Sequence, residues 1–223
     1  MNTEDMDRPG LMPLDRQAWY LEIHLSNFVN SYCQYRDIQL CRDVRKILEV
    51  GCGQGLSTQV LRWKGYEVTT LDVDETFRPD HVGSIHDMAC FDDRQFDVLI
   101  ASHVLEHLPV SLLNESLREM ARVARYALVY LPIAGTHHFQ IRLLPGFHGL
   151  DFTFHFDFYN YFETPTGVEP RYCQGQHYWE VGYRGFRPKD LVTRFSPYFA
   201  VLKRYRNRDW NPSYNFILQA NSR

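Results

Sequence analysis

The sequence predicts an α/β fold: one mostly parallel sheet of seven strands, helices on both faces, and an antiparallel hairpin at the end of the chain. Three observations carry this expectation. Short apolar runs alternate with segments of helical period between residues 46 and 132, a glycine cluster separates the first run from the first helix, and two β-rich segments near the carboxyl end are joined by a short polar link.

The elements follow in order. Residues 1–15 carry Pro9, Gly10 and Pro13 among acids and read as a loose arm. Trp19, Ile23, Phe28 and Tyr32 recur with roughly helical spacing, so residues 16–40 read as one or two helices. KILEV (46–50) is a buried strand ending in glycines, LSTQVLRWKG (56–65) a helix stopped by Gly65, and YEVTTLDVD (66–74) a β-branched strand. FDVLIASHVL (96–105) opens as another buried strand, SLLNESLREMARVA (111–124) has the clearest helical period, and YALVYLP (126–132) is again a strand. The alternation stops between Ile133 and Gly185. There Phe152, Phe154, Phe156 and Phe158 recur with period two, an extended segment or lid with one apolar face. RPKDLVTRFSPY (187–198) returns to helix, and FAVLKRYR (199–206) and YNFILQA (214–220), linked by RDWNPS (208–213), form the hairpin.

Composition removes several classes. Of 223 residues, 44% are apolar and 23% charged, which is globular rather than disordered. No apolar run reaches the ~18 residues of a membrane span, and the acidic start MNTEDMDRPG is not a secretory signal. Five cysteines without a C-x-x-C pair argue against disulfides or a zinc ribbon, so a reducing, cytoplasmic setting is expected. A net charge of -3 gives no general pull toward nucleic acid.

Three motifs carry chemistry. In LEVGCGQG (48–55) a strand runs into Gly51, Cys52, Gly53, Gln54 and Gly55 and a helix follows at once, which lets a ligand approach the backbone closely. Leu56 stands where a G-x-G-x-x-G dinucleotide fingerprint needs glycine. Asp72 ends the next strand, where a carboxylate can accept hydrogen bonds from ribose hydroxyls; Asp74 and Glu75 are near alternatives. FDVLIASHVLEHLP (96–109) delivers Ala101, Ser102 and His103 to the carboxyl edge of the sheet, and Glu106, His107 and Pro109 shape the entry to the next helix.

LEVGCGQG, LDVDE and FDVLIASHVLEHLP, in this order and spacing, resemble the class I S-adenosylmethionine-dependent methyltransferases, strongly over about residues 44–132. The resemblance implies a Rossmann-like fold and S-adenosyl-L-methionine as cofactor. It implies Glu49 and glycines 51, 53 and 55, with Cys52, around the methionine portion, Asp72 and Val73 at the ribose, and Ser84 and Ile85 beside the adenine. It puts Ala101, Ser102 and His103 near the methionine end. Two departures are visible. Ser84 stands where an acid is frequent, and ETFRPD (75–80) is too short for the usual helix, so a loop is expected there. The organisation then reads as an arm and helical cover (1–43), a cofactor-binding core (44–132), an inserted substrate cap (133–185), and a last helix and hairpin completing the core (186–223).

Methyl transfer to a hydroxyl needs a proton acceptor, and histidine titrates in the right range. His138, His155 and His177 are the candidates, all within the cap. No metal is expected from histidines 137, 138, 148 and 155, since none forms an i, i+4 pair on a helix and no cysteine or acid completes a set. Eight Lys or Arg between Arg184 and Arg208, against Asp190 alone, would attract an anionic or phosphorylated acceptor. The leading expectation is therefore O- or N-methylation of a small molecule, a sugar or secondary metabolite. The rivals are a cofactor-binding subunit without catalysis and a methyltransferase acting on RNA or protein. The sequence does not give the oligomeric state.

Overall fold

The structure, a computed structural model, describes residues 24–134, 137–142, 153–158, 163–173, 175–207 and 213–222. The arm, Trp19, Ile23, Phe152 and most of the link RDWNPS lie outside the described residues.

Helix α1 (Leu25–Ile38) leads into β1 (Lys46–Val50), α2 (Leu56–Trp63) and β2 (Glu67–Asp72). A one-turn 3₁₀ segment at Glu75–Phe77 and the two-residue β3 (His81–Val82) follow, so the short connection is indeed non-α-helical. Next come β4 (Phe96–Ser102), a second 3₁₀ turn (Leu105–His107), α3 (Val110–Val123) and β5 (Ala124–Pro132). A separate two-stranded sheet, β6 (His137–Arg142) with β7 (Thr153–Phe158), precedes α4 (Pro188–Phe195), β8 (Phe199–Arg206) and β9 (Ser213–Ala220).

The large sheet has the order β3-β2-β1-β4-β5-β9-β8, with every strand parallel except β9, which runs antiparallel to both its neighbours, β5 and β8. Its central strands are buried on both faces, and their sequences are accordingly apolar almost throughout: Ile47, Leu48 and Val50 in β1, and Val98 to Ala101 in β4. α3 buries Leu113, Ser116, Leu117, Met120 and Val123, the one-sided spacing of a helix laid on a sheet. α2 ends because Lys64 is followed by Gly65 at φ +93°, a left-handed stop that side chains disfavour.

Register fixes the place of the site. Val50 pairs with Leu71 on one side and Ala101 on the other, so the loops after β1, β2 and β4 emerge together at one edge. The strand order also reverses between β1 and β4, which opens a crevice at the carboxyl ends of an open α/β sheet. The segment after residue 163 returns to that edge. Val181 bridges Ile133, and Trp179, Val181 and Phe186 enter the core, with the Trp179 ring stacked on Phe186 at 4.9 Å. Among the described residues no helix is long and apolar enough to cross a membrane.

Candidate active site

The glycine loop is tied at both ends. Gly51 N–H donates to Leu71 O (2.8 Å) and Gly55 N–H to Cys52 O (2.9 Å). Gly51 has φ +71°, and a Cβ there would stand 2.5 Å from Val104 Cγ2, so the loop after β4 packs directly on the glycine backbone. At Gly53 and Gly55 a Cβ would meet nothing within 4 Å, which leaves open space beside the loop.

Two acids flank it. Asp72, nearly buried, accepts from Gly53 N–H through Oδ2 (3.2 Å) and from Asp74 N–H through Oδ1 (3.1 Å), bracing the loop from the end of β2. Burial raises its pKa above the usual range, with the two backbone donors opposing. Glu49 is enclosed at 5% exposure and accepts from Thr58 Oγ1. Burial pushes its carboxyl up to about 7, against the pull of Thr58 and the Arg62 charge. Cys52 is pushed up to about 12 by burial and by the two neighbouring carboxylates, so it stays a thiol.

The other cofactor-side candidates divide. Val73 and Ser84 are half-buried, and Ser84 Oγ is 2.7 Å from His86 Nδ1. Ile85 and Ala101 are enclosed at 2% and 0% exposure, so they shape the crevice from behind. Ser102 Oγ accepts from Asn30 Nδ2 (2.8 Å), and Ser31 Oγ meets Ser57 Oγ (2.8 Å), which brings α1 over the loop. His103 is held at φ +58°, an unusual conformation for a non-glycine residue, by its N–H to Tyr130 O (2.9 Å).

The returning segment brings a third group to this edge. Tyr178 N–H donates to Glu106 O (2.8 Å), which seats His177 beside the 3₁₀ turn. The rings of His107 and His177 meet edge to face with centroids 4.7 Å apart. His177 Nδ1 is 2.7 Å from Glu180 Oε1 and His107 Nδ1 is 3.2 Å from Gln176 O. Glu106 is fully buried, and His103 Nδ1 lies 3.4 Å from its Oε1, an ion-pair distance that is long for a hydrogen bond. Burial raises the Glu106 pKa, but the surrounding histidines outweigh it and the net shift is downward; burial lowers that of His107.

Of the three histidines expected to serve catalysis, His177 therefore joins a described polar cluster. For His138 and His155 the backbone alone is described: they lie in β6 and β7, paired in register with Asp157 and Gln140. Sequence reasoning did not single out Asn30 or Thr58, nor the meeting of Glu106 and His107 with His177. The only local trace of that meeting is the adjacent pair in LEHLP. The basic stretch is partly engaged locally, Arg187 with Asp190 (2.9 Å) and Arg194 over the Phe186 ring (4.8 Å).

Residues 48–127, which span the glycine loop, β2, β4 and α3, match the model of a family described as a methyltransferase domain. Residues 48–127 are therefore a methyltransferase domain, and the architecture is that of the class I methyltransferases, which use S-adenosylmethionine. Solved methyltransferases share the fold over nearly the whole chain. An S-adenosylmethionine-dependent methyltransferase from Clostridium acetobutylicum superposes with TM-score 0.54 at 9% identity, covering 94% of this chain and 97% of its own. An N-methyltransferase from Bradyrhizobium japonicum, in complex with S-adenosyl-L-homocysteine, gives 0.55 at 11%, covering 98% and 96%. The 1,6-didemethyltoxoflavin-N1-methyltransferase of Burkholderia thailandensis, with its substrate and S-adenosylhomocysteine bound, gives 0.52 at 13%, covering 97% and 93%. No curated protein sequence matches the chain. The residues present fit the cofactor: the loop is open beside Gly53 and Gly55, and buried carboxylates stand on either side for a cationic amino acid portion and a ribose.

Proposed function

We propose that this methyltransferase acts on a small-molecule acceptor, at oxygen or nitrogen, in the crevice between the glycine loop and the returning segment. The observation that carries this reading is the depth of the polar groups on the acceptor side. Glu106, His177 and Glu180 are exposed by only 0%, 6% and 9%, too deep for the surface of a folded protein or an RNA duplex to meet them. The Burkholderia enzyme, which binds 1,6-didemethyltoxoflavin, supports the same acceptor class.

The bound cofactor supplies an electrophilic methyl group; everything else falls to the chain. The glycine backbone would let the cofactor lie close, with Glu49 toward its amino acid portion and Asp72 toward its ribose. His177 stands on the acceptor side with Nδ1–H given to Glu180, which leaves the Nε2 lone pair available to the acceptor. The test is incubation of the protein with methyl-labelled cofactor and a metabolite extract, with RNA and protein fractions in parallel. Label should enter a low-mass product; label confined to RNA or protein would overturn the reading.

Two results are expected on the cofactor side. Asp72→Ala should weaken S-adenosylhomocysteine binding by ~1.5–3 kcal/mol, the range for hydrogen bonds to a charged group. Asp74→Ala should cost under ~1 kcal/mol, because that carboxylate is already bonded to Thr76 N–H (2.9 Å) and Oγ1 (2.6 Å). Calorimetry on both variants decides.

The second concerns Glu49. Its folded pKa of about 7 stands above the ordinary 4.5, so the free chain loses stability as pH rises from 4.5 through about 7. A ligand with a cationic amino group favours the carboxylate, so binding expels the proton below pH 7 and affinity climbs with pH. The gain from pH 6 to 8 should be about tenfold, and Glu49→Gln should flatten it.

A further inference from the structure

We propose that Glu106, His107 and His177 form a binding site for one divalent transition-metal ion of the zinc class. One ligand atom from each of the three lies within 4.8 Å of the others. Two imidazoles and a carboxylate are a donor set that suits zinc, cobalt or iron better than magnesium or calcium, which prefer oxygen alone.

Proximity alone would prove little; the surroundings of the three groups decide. Each imidazole already has a partner on its Nδ1, the carbonyl of Gln176 for His107 and the carboxylate of Glu180 for His177. With Nδ1–H donated there, Nε2 of each ring keeps its lone pair for a metal. Backbone carbonyls and carboxylates behind ligating histidines are the usual second partners that fix tautomer and ring orientation. The third group is the Glu106 carboxylate. It is fully buried; His103 Nδ1 stands 3.4 Å from Oε1, too long for a good hydrogen bond, and Oε2 has no hydrogen-bond partner among the described residues. An enclosed carboxylate so weakly partnered is costly, and a dication is a partner that removes that cost.

Three protein ligands leave at least one coordination position for water or an oxygen of the acceptor. His177 then acts as a metal ligand rather than as a free proton acceptor. This deepens the acceptor-side reading above, yet metal binding is measured without any acceptor, so its failure would leave methyl transfer itself untouched.

The test uses the full chain after dialysis against a chelator. Zinc chloride is titrated by calorimetry and cobalt(II) chloride by visible absorption, with S-adenosylhomocysteine binding measured on every variant as a check of folding. One ion per chain should bind at micromolar or tighter concentration, and cobalt should show the strong bands of a four- or five-coordinate site. His177→Ala and Glu106→Gln should abolish those bands. Glu180→Gln, which keeps all three ligands, should weaken metal affinity about 10–100-fold, and it serves as the test should either ligand variant fail to fold. No binding at millimolar metal, or binding unchanged in the folded variants, would overturn the proposal.

Discussion

Gly51→Ala should destabilise the chain by roughly 2–5 kcal/mol and lower cofactor affinity more than tenfold. Two costs combine. A side chain at φ +71° costs ~1–2 kcal/mol, and the new Cβ would lie 2.5 Å from Val104 Cγ2, an overpacking worth ~1–3 kcal/mol. The contact is with a β-branched methyl rather than a flexible end, so relief requires the backbone after β4 to move. That backbone carries Ser102 and His103, and the cofactor crevice moves with it. The double variant Gly51→Ala/Val104→Ala separates the two costs. It should recover the steric part and leave ~1–2 kcal/mol for the backbone. Chemical denaturation of the four proteins reads the cycle, and no recovery in the double variant would mean that Val104 is not the obstacle.

Asp37→Ala should cost about 3 kcal/mol, for a different reason. Its carboxylate is fully buried and accepts from Tyr130 Oη (2.7 Å) in β5 and from Tyr205 Oη in β8, beside Arg36 Nε at 3.1 Å. One side chain of α1 therefore fastens the helix to two strands. Its removal leaves the buried Tyr130 hydroxyl and the largely enclosed Tyr205 hydroxyl without their acceptor. For a domain of this size the loss corresponds to a fall in Tm of about 6–12 °C. Tyr130→Phe should cost only about 1 kcal/mol, because the carboxylate keeps its other donors. Equal effects from the two substitutions would show that the cluster is not organised around Asp37.

The contrast between these clusters shows what the sequence discloses. The strand, glycine loop, helix and second strand of residues 46–72 were legible because each signal is local: apolar runs bounded by glycine, and an acid at a strand end. The terminal hairpin was legible for the same reason, its two β-rich segments being separated by one polar link. Asp37 carries no such signal. Its tyrosine partners lie 93 and 168 positions away, and an acid late in a polar helix reads as solvated. His107 and His177 are likewise joined only by the return of the chain to the sheet edge, with the Gln176 carbonyl 69 positions from His107. The sequence marked His177 as a candidate base from its place before the last helix. It could not show that a buried acid and a second imidazole wait beside it. The period-two aromatic run did form a strand, β7, whose Phe156 pairs in register with Phe139 of β6.

The most direct test of the account is a calorimetric titration of S-adenosylhomocysteine into the chelator-treated chain, repeated with Gly51→Ala and Asp72→Ala. The account predicts one site per chain that persists without metal and weakens in both variants. A folded chain that takes up no ligand at millimolar concentration, or that binds equally well in all three forms, would contradict it.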